Sequence, residues 1–345
     1  MSQKNFRNIF LDNILDFIWR QWASLGVLGH NRAEDKWIVD PEAVLFFSIN
    51  MGRFEPRLFD EIIDWLITNG EWVDIQRLRG IVKNKDEDTK RILSAIAAVL
   101  MNEAKSYKRK WKSLSKIKKQ NKINREMVLF KSKDGKPYPI MKNKEDKIFS
   151  KYMISRSVFK PSNKSREVNP KTYSNIRFLL RSLFGIGSRS ECILYLLSHT
   201  SGHPSEIAES IGISVRGTQD ALIELSKSNL ILTRSTGKRK IEYWLSQRKW
   251  WQFLLDINID EINPPIWLNW IAIFDALYGV WEVLNEVQKT QSDYLRSSKL
   301  RKAMETIGME FYKSEIDLPP IPDKTISPEE YEEEFQNFIL KVLGA

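Results

Sequence analysis

The fold is restricted most by a run of helix punctuation between residues 190 and 245, SECILYLLSHTSGHPSEIAESIGISVRGTQDALIELSKSNLILTRSTGKRKIEYWL, in which three helical segments give way to two short strand-like ones. Ile193, Leu194, Leu196 and Leu197 mark a first helix. Pro204-Ser205-Glu206 opens a second, carrying Ile207, Ala208 and Ile211, and Gly212 stops it. Ala208 and Gly212 stand four apart, which suits two crossing helices: the small residue admits the next helix, and glycine permits a tight turn. Ser214 caps a third helix, which turns Thr218, Ala221, Leu222 and Leu225 inward and leaves Val215, Arg216, Gln219 and Ile223 outside. Residues 230–233 and 241–245 then form a two-stranded ribbon around Thr236-Gly237, with Arg234, Lys238, Arg239 and Lys240 making a basic tip.

The segments EIAESIGISVRGTQDALIELSKSNLI and TGKRKIEYWL resemble the winged helix of MarR- and ArsR-type bacterial regulators, over about 70 of the 345 residues. The resemblance implies a DNA-binding regulator of transcription. In it Ser214, Val215, Arg216 and Gln219 read base edges in the major groove, while Arg234, Lys238, Arg239 and Lys240 of the wing grip the backbone of double-stranded DNA. Two features depart from that pattern. Gly217 lies inside the reading helix, where it costs ~1 kcal/mol relative to Ala, and Asp220 and Glu224 bring negative charge near the phosphates. Winged helices also serve protein contacts, so an adaptor or antitoxin-like component of a bacterial gene cassette is the alternative reading.

Around this centre the chain reads as mainly α, a multi-domain helical protein with a small β-hairpin wing. The division is 1–104, an N-terminal helical domain; 105–172, a basic helix, hairpin and linker; 173–247, the winged helix-turn-helix; and 248–345, an acidic helical domain. In the first domain Phe6, Ile9, Leu11, Ile14, Leu15, Ile18 and Trp22 recur at helical spacing up to Gly26, and Asp40-Pro41 and Glu55-Pro56 open two short buried helices. From its end into the basic segment, Ile96, Leu100, Ala104, Tyr107, Trp111 and Leu114 continue a seam that predicts one long helix, serving either homodimerisation or packing on its own chain. Asp134-Gly135 signals a hairpin, and residues 143–171, rich in Lys, Ser, Asn and Pro, read as an exposed linker. In the last domain the run PPIWLNWIAIFDALYGVWEVL must be buried, and the acidic, aromatic-rich helical domain either makes subunit or protein-partner contacts or is a helical cap on the core.

Charge is distributed unevenly along the chain. Residues 105–170 hold 21 Lys or Arg against 5 Asp or Glu, whereas residues 256–345 hold 8 against 17. The basic block either neutralises phosphates with release of counterions or is a solvated linker. The single cysteine, Cys192, excludes an intramolecular disulfide and is consistent with a reducing compartment, so a cytoplasmic location is expected. Neither a signal peptide nor an apolar stretch of membrane-spanning length is present in the sequence, so no membrane contact is expected.

No catalytic constellation, cofactor or metal site is expected, and the chain is not read as an enzyme. His199 and His203 flank a loop without further ligands, and Cys192 on an apolar helix is a small buried hydrophobe. Gly185-Ile186-Gly187 is not a phosphate loop, because no strand precedes it and no Walker lysine follows. Carboxylate pairs such as Asp60/Glu61 are assigned to helix dipoles.

Overall fold

Helix signals dominate the sequence, and helices dominate the chain. The computed structural model describes residues 3–31, 36–104, 106–116, 126–141, 144–236, 240–256, 258–261 and 263–344. Among them are fifteen α-helices and two sheets of two strands each. They fall into two compact units that are not colinear with the sequence: Met1–Ile18, Lys133–Gly135 and Leu268–Ala345 in one, Trp19–Ser132 and Lys136–Trp267 in the other.

The larger unit begins in the second part of α1 (Gln3–Ser24) and continues through α2 (Pro41–Met51), α3 (Pro56–Asn69), α4 (Ile75–Val82), α5 (Glu87–Glu103) and α6 (Lys108–Ser115). Every residue of α2 is buried. Asp40 caps it by accepting from Ala43 N at 3.0 Å, and Pro41 occupies its first turn. Asp74 and Asp86 cap α4 and α5 in the same way.

The seam from Ile96 to Leu114 does not make one long helix. α5 ends at Glu103, Ala104 is extended, and α6 starts afresh at Lys108. The reason is local to this chain: Tyr107 Oη sits by the carbonyls of Leu66 and Ile67 and accepts from Gly70 N at 3.2 Å, while Trp111 is buried against Gly70. A cross-linking phenol and a buried indole turn the seam onto α3.

Residues 144–159 are not an exposed linker either, whereas residues 160–171 are irregular and mostly exposed, as expected, with their backbone tied down. Met127–Val128 (β1) pairs in parallel with Ile154–Ser155 (β2), and α7 (Lys147–Ser150) lies between them in sequence. Asp146 caps α7 and also accepts from Phe159 N at 2.9 Å. Arg156, buried among Phe130, Phe149 and Phe159, pairs with Asp60 at 2.8 Å. Further along, Asp64 accepts from Asn163 N and Ser165 N, and Asn69 exchanges hydrogen bonds with Arg166 and Val168. The polar residues of α3 thus bind the segment's backbone. Asp60 and Glu61 belong to that work: they lie beyond the first turn of α3 and bind Arg156 and Ser162. The hairpin at Asp134-Gly135 is reduced to a single bridge, Lys131 with Pro137.

After these come α8 (Ile176–Phe184), α9 (Ser188–Ser198), α10 (Pro204–Ile211), α11 (Val215–Ser226), the antiparallel strands β3 (Ile231–Thr236) and β4 (Lys240–Leu245), and α12 (Gln247–Leu255). Their shared core contains Cys192, Leu196, Ile207, Leu222 and Tyr243, with Trp250 and Trp251 of α12 and Trp267 inside it. The smaller unit packs residues of the first part of α1 with α13 (Trp270–Val287), α14 (Asp293–Lys313) and α15 (Pro328–Gly344). Phe10 stacks on Trp281 with centroids 6.5 Å apart, Arg7 lies over the same indole, and Phe311 meets Phe338 edge to face. Among the described residues no helix is long and apolar enough to cross a membrane.

Candidate nucleic-acid interface

The segment from α9 to β4 is built by the local signals its sequence carries. His203 caps α10, accepting from Ser205 N, and Glu206 reaches back to His203 N. Gly212 ends α10 in the left-handed conformation, φ 69°, its N–H bonded to Ala208 O, and Ile213 N bonds the same carbonyl. Two residues later Ser214 Oγ accepts from Gly217 N at 3.2 Å and starts α11. Thr218, Ala221 and Leu222 are buried, Leu225 is half-buried, and Ser214, Val215, Arg216, Gln219 and Ile223 are exposed. Gly217 has a steric reason: a Cβ there would come within 3.1 Å of Ser214 Oγ and 3.2 Å of Ser188 Oγ.

The two strands are joined to the helices by a pairing that sequence reasoning missed. Gly202, in the loop between α9 and α10, exchanges two backbone hydrogen bonds of 3.0 Å with Tyr243 of β4. Only glycine fits, because a Cβ would approach Ile207 and Tyr195 to 2.8 and 2.9 Å. The SGH sequence before Pro204 was the available signal. On the ribbon, Arg234 pairs with Glu242 at 2.7 Å and donates to Ser201 Oγ at 2.9 Å, and Lys240 is exposed at the start of β4. Lys238 and Arg239 lie outside the described residues. Arg216 is 94% exposed and has Asp220 at 4.0 Å, and Arg189 of α9 pairs with Glu224 of α11 at 2.6 Å. From residue 188 to 245 the sequence carries seven Lys or Arg and six Asp or Glu.

Behind this face lies a closed ring of buried charge. Asp40 receives Arg77 at 2.5 Å and Arg177 at 3.2 Å; Glu42 receives Arg77 at 2.7 Å and Arg181 at 2.8 Å; Glu191 receives Arg181 at 2.7 Å and also pairs with Arg177. None of these side chains is more than 3% exposed. Three guanidiniums thus meet three carboxylates, and α2, α4, α8 and α9 are tied together. Burial alone raises the Asp40 and Glu191 carboxyls, but Arg177 with Arg77 outweighs it at Asp40, and Arg177 with Arg181 at Glu191, so both are held below the ordinary carboxylate range. Arg77 has one more bond: its Nε donates to Ile211 O at 2.6 Å, so the ring grips the last residue of α10, immediately before the Gly212 turn. Arg177 and Arg181, four apart on a mostly apolar helix, were the one sequence hint of this ring.

The remaining candidates have structural partners. Cys192 is buried, and burial first, then Glu191, pushes its thiol up to about 12. His199 stacks on Tyr195 with centroids 3.7 Å apart. Among the described residues no group of three or more His, Cys, Asp or Glu could hold a metal ion. Comparison with family models, curated proteins and solved structures yields no match for the chain.

Proposed function

We propose that residues 173–247 form a winged helix-turn-helix that binds double-stranded DNA as part of a regulator of transcription. One observation carries the reading: α11 presents Ser214, Val215, Arg216 and Gln219 to solvent, and the Gly202–Tyr243 pairing joins the basic ribbon to the same core. A helix start free of side-chain cover is what a major groove requires, and a basic ribbon beside it suits the adjoining phosphates. Selection of bound fragments from genomic DNA tests the proposal, comparing the parent with a variant in which Lys238, Arg239 and Lys240 are replaced by Ala. A common site in the parent, bound more weakly by the variant at every sequence, is the expected result. A parent that enriches nothing and binds no duplex at low salt defeats it.

A second reading has its own support. Val215 is 50% and Ile223 41% exposed on α11, and the segment is nearly neutral, which suits a protein partner at the same face. An adaptor would retain its partner when Arg216 is changed to Ala and lose it when Ile223 is changed to Lys, the reverse of a DNA reader.

A further inference from the structure

We infer that α4 is a second DNA-contacting element, Arg79 on the helix and Lys83 at its C-cap binding duplex phosphates beside the start of α11; this rests on the DNA reading above. The placement follows from two approaches one helical turn apart on α4. Arg77 Nε donates to Ile211 O at 2.6 Å, and a Cβ on Gly80 would stand 3.2 Å from Gly212 O. Gly80 is exposed and Gly212 half-buried, so this second approach lies at the surface, two residues before the Ser214 cap of α11. Arg79 precedes Gly80 in the chain, Lys83 follows it with its N–H bonded to Gly80 O at 3.3 Å, and both side chains are exposed.

Their neighbours leave these two cations available. Lys85 is engaged over the Phe46 ring at 4.7 Å. The acids that follow are used by α5: Asp86 caps it, Glu87 pairs with Lys90, and Asp88 pairs with Arg91. No such carboxylate is paired with Arg79 or Lys83 among the described residues. The helix carrying them is also held in place, because Arg77 is locked in the buried ring by Asp40 and Glu42. A cation on a fixed helix beside a reading helix loses little freedom when a phosphate arrives, and each such pairing releases condensed counterions whatever the base sequence.

The test is a titration of the full chain against a random-sequence duplex across several salt concentrations. Replacing Arg79 and Lys83 together by Gln should lower the slope of log affinity against log salt by about 1.8, at 0.9 per phosphate, which is roughly sixty-fold in affinity at 0.1 M salt. The exchange Arg79→Lys with Lys83→Arg should retain the parent slope. Lys302→Gln with Lys341→Gln, which removes the same charge from exposed positions elsewhere, should change the slope little. An unchanged slope in the Arg79/Lys83 variant, or an equal fall in the Lys302/Lys341 variant, overturns the inference while leaving the DNA reading intact. A parent that binds no duplex at low salt overturns both, and the parent alone reveals it.

Discussion

The buried ring and the exposed face of α11 contain similar side chains and treat them in opposite ways. In the ring each charge has two opposite partners and almost no exposure to solvent. On the outer face Arg216 stands in solvent with its carboxylate neighbour at 4.0 Å, a separation at which an exposed ion pair contributes almost nothing. The difference separates two tasks. Charges enclosed at low dielectric fix the arrangement of four helices, since each can be satisfied in only one geometry. Cations in water remain free to exchange a weak partner for a phosphate.

The largest effect expected from breaking this contrast is on the inside. Removing Arg181 as Arg181→Ala strands Glu42 and Glu191 without one partner each and should cost about 3–5 kcal/mol in urea-induced unfolding. A drop under 1 kcal/mol would mean that water reaches the ring. The ring also sets the response to acid. Asp40 and Glu191 have folded-state values below their unfolded ones, so their contribution is full above the unfolded values of about 4 and is lost as pH falls through the folded ones. Stability measured from pH 7 downward should therefore hold to about pH 5 and drop below pH 4.

On the outside, Arg216→Ala with Gln219→Ala should leave the melting temperature within a degree or two and remove about 1–3 kcal/mol of sequence discrimination for each base that is no longer read. Footprints identical to the parent's would sink the groove assignment. Ser214→Ala lies between the two regions, because it removes the cap of α11 and should cost about 1 kcal/mol of stability. If stability is unaltered, the Ser214–Gly217 hydrogen bond contributes nothing.

The smallest effect concerns Cys192. Its folded thiol is raised to about 12, so stability is full below the unfolded value and declines as pH climbs past it. At pH 9 the parent should lose less than about 1 kcal/mol more than a Cys192→Ala variant does. The thiol should resist alkylation at pH 8 until the chain is unfolded. Fast labelling of the native chain would place Cys192 outside the core.

What the sequence revealed was what neighbouring residues decide. Asp40, Ser214 and Gly212 act within four residues of themselves, and the helices they start or stop could be read directly. The inward set on α11 followed from period alone. Partnership across the chain was not legible: Arg77 meets Asp40 at a separation of 37 residues, and Arg181 meets Glu42 at 139. The same limit explains the misread seam, since Tyr107 and Trp111 show helical spacing whether their partner is a second chain or α3. Residues 160–171 are solvated on their side chains, as their polarity suggests, yet the backbone of residues 163–168 is bound by Asp64 and Asn69, which their composition does not reveal. The exposure of Ser214, Val215, Arg216 and Gln219 followed from the same period as the inward set.

The division of the chain has a consequence for synthesis on the ribosome. Phe6, Phe10 and Ile14 belong to the unit completed only by Leu268–Ala345. About 250 residues separate the two parts, so at 5–20 residues per second the first waits roughly 12–50 s for the second. During that interval the apolar stripe of residues 6–14 is without its native cover and is a natural substrate for holding chaperones. Nascent chains arrested before residue 268 should bind such a chaperone through residues 6–14, and chains that include residues 268–345 should not. Equal binding at both lengths would show that the stripe finds cover earlier, within the part of the chain already made.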